Sequence, residues 1–134
     1  MKRVFVDTSG FYAALNYRDA QHVSAAALFN RARAEQWQLF TTNFVVAETH
    51  ALILARLSRD RAWEFLQAIM SGSTNVIRTE EGDERMAREI IERYSDKGFS
   101  YCDAISFAVM ERLEISEAIA FDEHFQQYGQ FVVL

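Results

Sequence analysis

Short runs of β-branched and aromatic residues recur along the chain, and each gives way to a stretch whose apolar residues fall at helical spacing. Residues 3–7 (RVFVD), 38–41 (QLFT), 74–78 (TNVIR), 117–121 (EAIAF) and 130–133 (QFVV) read as strands. Helical patterns lie between them: FYAALN after a turn at Thr8, Ser9 and Gly10, then 20–35, 44–57, 59–71, 79–96 and 100–113. Asp19, Asn43 and Ser100 are the expected helix caps, and Thr79 the expected start of the helix after the third strand. The Ser71-Gly72-Ser73 break ends the helix before that strand. Strands that alternate with helices in this way predict an α/β fold. The strands run parallel, are joined by right-handed crossovers, and carry helices on both faces of the sheet. In such sheets the functional crevice opens beyond the carboxyl ends of the strands. Asp7 ends the first strand and Asp122 immediately follows the fourth, so both point to the same edge.

Four acids occupy costly positions. Asp7 (VFVDTSGF), Glu48 (FVVAETHAL), Asp103 (YCDAISFAVM) and Asp122 (AIAFDEHF) each lie within or at the end of an apolar stretch. Burying an ionised carboxylate without a partner is strongly unfavourable. Four such acids point to one shared pocket held together by a cation, and carboxylate oxygens suit Mg²⁺ and Mn²⁺. Each acid also has a plainer reading. Asp7 could cap the helix that follows, although Thr8 and Ser9 are caps as well. Glu48 shares a helix face with Phe44, Ala51, Leu52 and Ala55, which places it in a buried stripe. A salt bridge to an arginine is the ordinary solution there. Asp103 has Phe99, Ser106, Phe107 and Met110 at the same offsets, and Ser100-x-x-Asp103 matches a capping box. Asp122 could cap a short helix through Phe125, and its neighbour His124 is a candidate ligand or base whose ordinary role is to pack or hydrogen-bond locally. Two acids at strand ends and two near helix N-termini can meet at one edge of a parallel sheet. Unbalanced, like charges at that range drive proton uptake; a divalent ion removes the conflict.

Composition narrows the remaining classes. The formal charge is −5, so no overall basic character advertises nucleic acid. However, the basic residues are 12 Arg against 2 Lys, and arginine grips phosphate with a planar fork. Arg56, Arg59 and Arg61 form one cluster, and Arg85, Arg88 and Arg93 another. The lone Cys102 excludes an internal disulfide, fits a reducing cytoplasm and reads as small core filler. Without a Cys/His cluster, zinc is not expected. No proline or low-complexity stretch marks a linker, so residues 1–134 read as one domain. The longest apolar runs are too short for a bilayer, and MKRVFVDTS reads as a first strand, not a signal peptide.

The segments VFVDTSGFYAAL, TTNFVVAETHALI, KGFSYCDAISFAVME and AIAFDEHF, in that order, resemble the PIN-domain ribonucleases. The resemblance is closest to the VapC-type toxins of prokaryotic toxin–antitoxin pairs, and it covers nearly the whole chain. It implies a three-layer α/β/α sandwich around a parallel five-stranded sheet of order 3-2-1-4-5. It implies Mg²⁺ or Mn²⁺ held by Asp7, Glu48 and Asp103 as main ligands, with Asp122 completing the shell directly or through water and Thr8 and Ser106 as nearby hydroxyls that orient water or ligands. The implied reaction is hydrolysis of RNA phosphodiester bonds. In it the ion lowers the pKa of water and offsets charge on the phosphate oxygens. An antitoxin protein is the implied partner, and a homodimer the implied assembly. Trp37, Phe40 and Trp63 are candidate docking groups for the antitoxin, with Trp63 assigned to the core. Two alternatives share the fold: an RNA-processing nuclease that is not a toxin, and an RNA-binding module that does not cleave. A phosphatase of the Asp-x-Asp type fits poorly, because position 9 holds Ser9.

Overall fold

The computed structural model describes residues 1–134. Five strands form one sheet: β1 Arg3–Val6, β2 Gln38–Thr42, β3 Thr74–Ile77, β4 Glu117–Ile119 and β5 Val132–Val133. Every neighbouring pair is parallel, and the order is β3-β2-β1-β4-β5. Seven helices flank it: α1 Thr8–Leu15, α2 His22–Ala34, α3 Asn43–Arg56, α4 Arg59–Met70, α5 Glu81–Arg93, α6 Tyr101–Arg112 and α7 His124–Tyr128. This is the expected α/β/α sandwich. β1 is the middle strand, and Val4, Phe5 and Val6 are wholly buried because both faces of a parallel sheet are covered.

Several element boundaries differ from the sequence expectation, each for a local reason. α1 starts at Thr8, not after Gly10, because Asp7 itself caps it. Asp19 does not cap α2. Its Oδ1 accepts from the Gln21 amide at 2.8 Å in a turn before the helix. The cap of α3 is Thr42, whose hydroxyl accepts from the Val45 amide at 3.1 Å. Asn43 is freed to accept from the Thr79 amide at 3.1 Å, and that contact holds Thr79 in the loop ahead of α5. The last strand is shorter than 130–133, and Asp122 follows β4 after two intervening residues, Ala120 and Phe121.

A single apolar cluster fills both sides of the sheet. Its aromatic centre seats α7 on α6: Phe107 stacks on Tyr128 at 4.4 Å between ring centroids and meets Phe125 edge-on at 4.9 Å. Such pairs add about 0.5–1.5 kcal/mol each beyond their buried area. α5 and α6 are clamped by Arg112, which donates to both oxygens of Asp83 at 2.8 and 2.9 Å. Gly10 governs how closely α1 approaches β4. A Cβ there would lie 2.8 Å from the Ile119 carbonyl oxygen, so any larger residue would push helix and strand apart. Trp63 is half exposed, contrary to its assignment to the core. α4 buries Ala62 and Phe65, and residue 63 is turned about 100° from Ala62 on a helix of 3.6 residues per turn. No helix is long and apolar enough to cross a membrane.

Candidate metal centre at the sheet edge

The order of the strands creates a crevice beside β1. β2 and β3 lie to one side of it, β4 and β5 to the other. Loops leaving β1 and β4 therefore diverge, and ligands bind at such switch points. Asp7 occupies this point. Its amide donates to the Ile119 carbonyl at 3.1 Å and carries the β1–β4 ladder one step past the strands. Its side chain is buried, and Oδ2 accepts from the Ser9 amide at 3.3 Å and the Ser9 hydroxyl at 2.8 Å. The Ser9 hydroxyl accepts in turn from the Phe121 amide at 2.9 Å. Ser9 thus ties Asp7 to the segment that carries Asp122.

Asp103 arrives from α6. The capping box forms as its spacing implied: the Asp103 amide donates to the Ser100 hydroxyl, and the Ser100 amide donates to Asp103 Oδ2, both at 3.0 Å. Capping does not remove Asp103 from the crevice. The same Oδ2 lies 2.7 Å from His124 Nδ1. Asp122 is half-buried, and its Oδ1 accepts from the His124 amide at 3.0 Å. Ligating atoms of Asp103, Asp122 and His124 lie within 4.8 Å of one another. The ring of Phe99 holds the His124 imidazole edge-on at 5.7 Å.

These acids feel one another. Burial pushes the Asp7 carboxyl up to about 8; the Asp122 charge adds to this, the Ser9 hydroxyl opposes it, and the Asp103 charge adds again. Burial also pushes Asp103 up, against the Ser100 amide, with the Asp122 charge raising it further and His124 opposing. Three carboxylates in mutual range with one imidazole suit a hard or borderline divalent cation. An ion placed among them would cancel the repulsion that now favours protons.

Glu48 is placed differently from the sequence expectation. α3 buries Val45, Thr49 and Ile53, one position round the helix from the supposed stripe, so Glu48 is exposed. It has no arginine partner within 4.0 Å. It lies on the α6 side of α3: burial pushes the Cys102 thiol up, and the Glu48 and Asp7 charges add to that rise. Thr8 accepts from the Thr49 hydroxyl at 3.2 Å and joins α1 to α3. The Ser106 hydroxyl donates back to the Cys102 carbonyl at 3.0 Å within α6. Neither hydroxyl is bonded to an acid; the one that is belongs to Ser9. Its signal in the sequence is the Asp-x-Ser spacing, since a capping acid bonds groups two residues on. His124 carries the same signal, two residues after Asp122.

A PIN domain family model matches residues 4–130. The chain belongs to the PIN-domain family. Curated relatives of this PIN domain agree. It is 36% identical over 123 residues to the VapC ribonuclease of Archaeoglobus fulgidus, covering 90% of this chain and 77% of that protein. It is 35% identical over 127 residues to the 23S rRNA-specific endonuclease VapC20 of Mycobacterium tuberculosis, covering 94% of each. The crystal structure of that sarcin-ricin-loop-cleaving toxin superposes with a TM-score of 0.85 at 32% identity over 95% of each chain.

Proposed function

We propose that this PIN domain, acting as one unit over residues 1–134, is a Mg²⁺- or Mn²⁺-dependent endoribonuclease and the toxin of a toxin–antitoxin pair. The observation that carries this reading is the meeting of Asp7, Asp103 and Asp122 at the switch point of the sheet. The names of the two relatives support it. Asp103 and Asp122 are the central ligands, and Asp7 faces them from the end of β1. Glu48 completes the set from α3 on the solvent side. When bound, the ion supplies positive charge for the phosphodiester oxygens and acidifies water. The chain's own groups do the positioning. Ser9 fixes the orientation of Asp7, and Ser100 and His124 together fix Asp103 through Oδ2.

An antitoxin is the proposed partner. An apolar cavity of about 540 Å³ opens among α1, α2, α4 and the sheet, lined by Phe11, Phe29, Trp37, Leu39, Phe65 and Ile69. It fits the apolar face of a partner helix. Trp37 belongs to this cavity. Phe40 and the exposed Trp63 are not among its lining residues. Exposed Leu54 and Ile91 offer apolar surface for self-association as a homodimer, and the cytoplasm is the proposed compartment.

The test is cleavage of purified RNA, beginning with ribosomal RNA, on which the Mycobacterium tuberculosis relative is named to act. Cleavage should require Mg²⁺ or Mn²⁺ and stop with a chelator. Asp103→Asn should lower the rate by about 10²–10³-fold or more, the scale for losing one preorganised electrostatic group. Cleavage that survives both chelation and Asp103→Asn would refute the reading.

A further inference from the structure

A second polar pocket lies away from the acids. It encloses about 380 Å³ where the end of α1 meets the α3–α4 connection, and Tyr17, Arg18, Arg56, Ser58 and Arg61 line it. Its cations are unusually free for a chain of net charge −5. Arg18 and Arg56 have no carboxylate within 4.0 Å. Arg61 meets only the exposed Glu64, at 3.6 Å. Two of the guanidinium groups are held over aromatic rings: Arg61 at 5.3 Å from the centre of Tyr17, and Arg56 at 5.9 Å from that of Tyr12. Arg61 also donates to the Leu15 carbonyl, which anchors one wall of the pocket. Tyr17 is 75% exposed: Arg61 lies over its ring and His22 meets it edge-on at 5.3 Å, and the rest of the ring is open beside the arginines.

Position relates this pocket to the metal centre. α1 carries Asp7 at its start and Asn16 at its end. α3 carries Glu48 in its second turn and Arg56 at its last residue. The two helices pack together and leave the same edge of the sheet. Eight residues at 1.5 Å each separate acid from arginine along α3, roughly 12 Å. That is about three to four base steps at the 3.4 Å rise of a nucleic-acid strand.

We propose that this pocket is a second RNA contact, in which Arg18 and Arg56 hold a backbone phosphate a few nucleotides from the cleaved bond and Tyr17 stacks a base. Arginine forks match phosphate oxygens, and open aromatic rings stack bases without regard to sequence. The inference rests on the ribonuclease reading and names how the substrate is gripped.

The test uses the full chain carrying Asp7→Asn, so that RNA is bound and not cut, with a short fluorescent RNA oligonucleotide titrated over a range of salt. Arg18→Ala with Arg56→Ala should weaken binding about tenfold or more at low salt. It should also flatten the dependence of log affinity on log salt by about 0.7, the value for one phosphate contact on a single strand. Tyr17→Ala should weaken binding about fivefold or more with the salt slope unchanged. Arg85→Ala with Arg88→Ala removes the same charge from the exposed side of α5 and should stay within about twofold of the parent. Arg61 is left intact because of its bond to Leu15. Mn²⁺ titration of the same substitutions made in the chain that keeps Asp7 checks that the acidic centre is intact. Unchanged affinity in the Arg18/Arg56 variant, or an equal loss in the Arg85/Arg88 control, would overturn the pocket. Failure of the unsubstituted chain to cleave any RNA would instead overturn the nuclease reading.

Discussion

In the absence of metal, Asp7→Asn should make the protein more stable at pH 8, by about 2–4 kcal/mol, while removing its activity. The folded Asp7 carboxyl holds its proton up to about 8, against an ordinary value of 3.8. The unfolded chain releases that proton near the ordinary value. The stabilising contribution is therefore complete below about 3.8 and is lost as pH rises through about 8. Between those limits the metal-free parent should lose stability steadily, and the variant should lack this component of the decline. Urea unfolding in chelator across that window measures both. Saturating Mn²⁺ should reverse the ranking. A ligand at a thousand times its dissociation constant adds about 4.1 kcal/mol to the protein that binds it, and Asp7→Asn should gain far less. A parent whose metal-free stability does not fall over this range would show that burial and the neighbouring acids do not hold a proton on Asp7.

The second large effect lies away from the site. Asp83→Ala should cost about 3 kcal/mol of stability, the lower end for breaking a buried ion pair, because Arg112 keeps some solvent. Asp83 is 3% exposed, accepts both arms of the Arg112 fork, and also accepts from the Glu80 amide at 2.9 Å. Burial opposes its charge, but the bonds from Arg112 and Glu80 prevail and hold the carboxyl below its usual value. Its sign is opposite to that of Asp7: the contribution is present above the unfolded value and is lost as pH falls through the lower folded value. Replacing the pair together by Leu and Met should recover part of the loss, since Arg112 without Asp83 keeps only the exposed Glu80, at 3.5 Å. Mn²⁺ affinity should stay near that of the parent in both variants. Denaturant unfolding at neutral pH checks the ranking; a loss under about 1 kcal/mol for Asp83→Ala would contradict the buried pair.

The sheet was legible because its signal is redundant. Five apolar runs separated by helical periods leave few topologies, and the resemblance supplied the strand order now seen. Helix starts were less legible. Several polar residues compete at each one, and tertiary partners choose among them, as Thr79 does in taking the Asn43 side chain away from its own helix. The acids show the same division. Asp7, Asp103 and Asp122 were identifiable because strand ends and a capping box fix where they stand. Glu48 was assigned to a buried face because Phe44, Leu52 and Ala55 look like core. The buried row runs instead through Val45, Thr49 and Ile53, and a threonine within it masks the pattern. Ser9 was read as a cap and His124 as a ligand or base outweighed by local packing, because the contacts that tie them to the site span 112 and 21 residues, respectively.

Isothermal titration of the metal-free protein with Mn²⁺ bears most directly on the convergence of these acids. The geometry predicts saturable binding that weakens about tenfold or more with Asp103→Asn and with Asp122→Asn, each folded as judged by its unfolding transition. Absence of saturable binding, or equal affinity in parent and variants, would contradict a shared cation site at the β1–β4 edge.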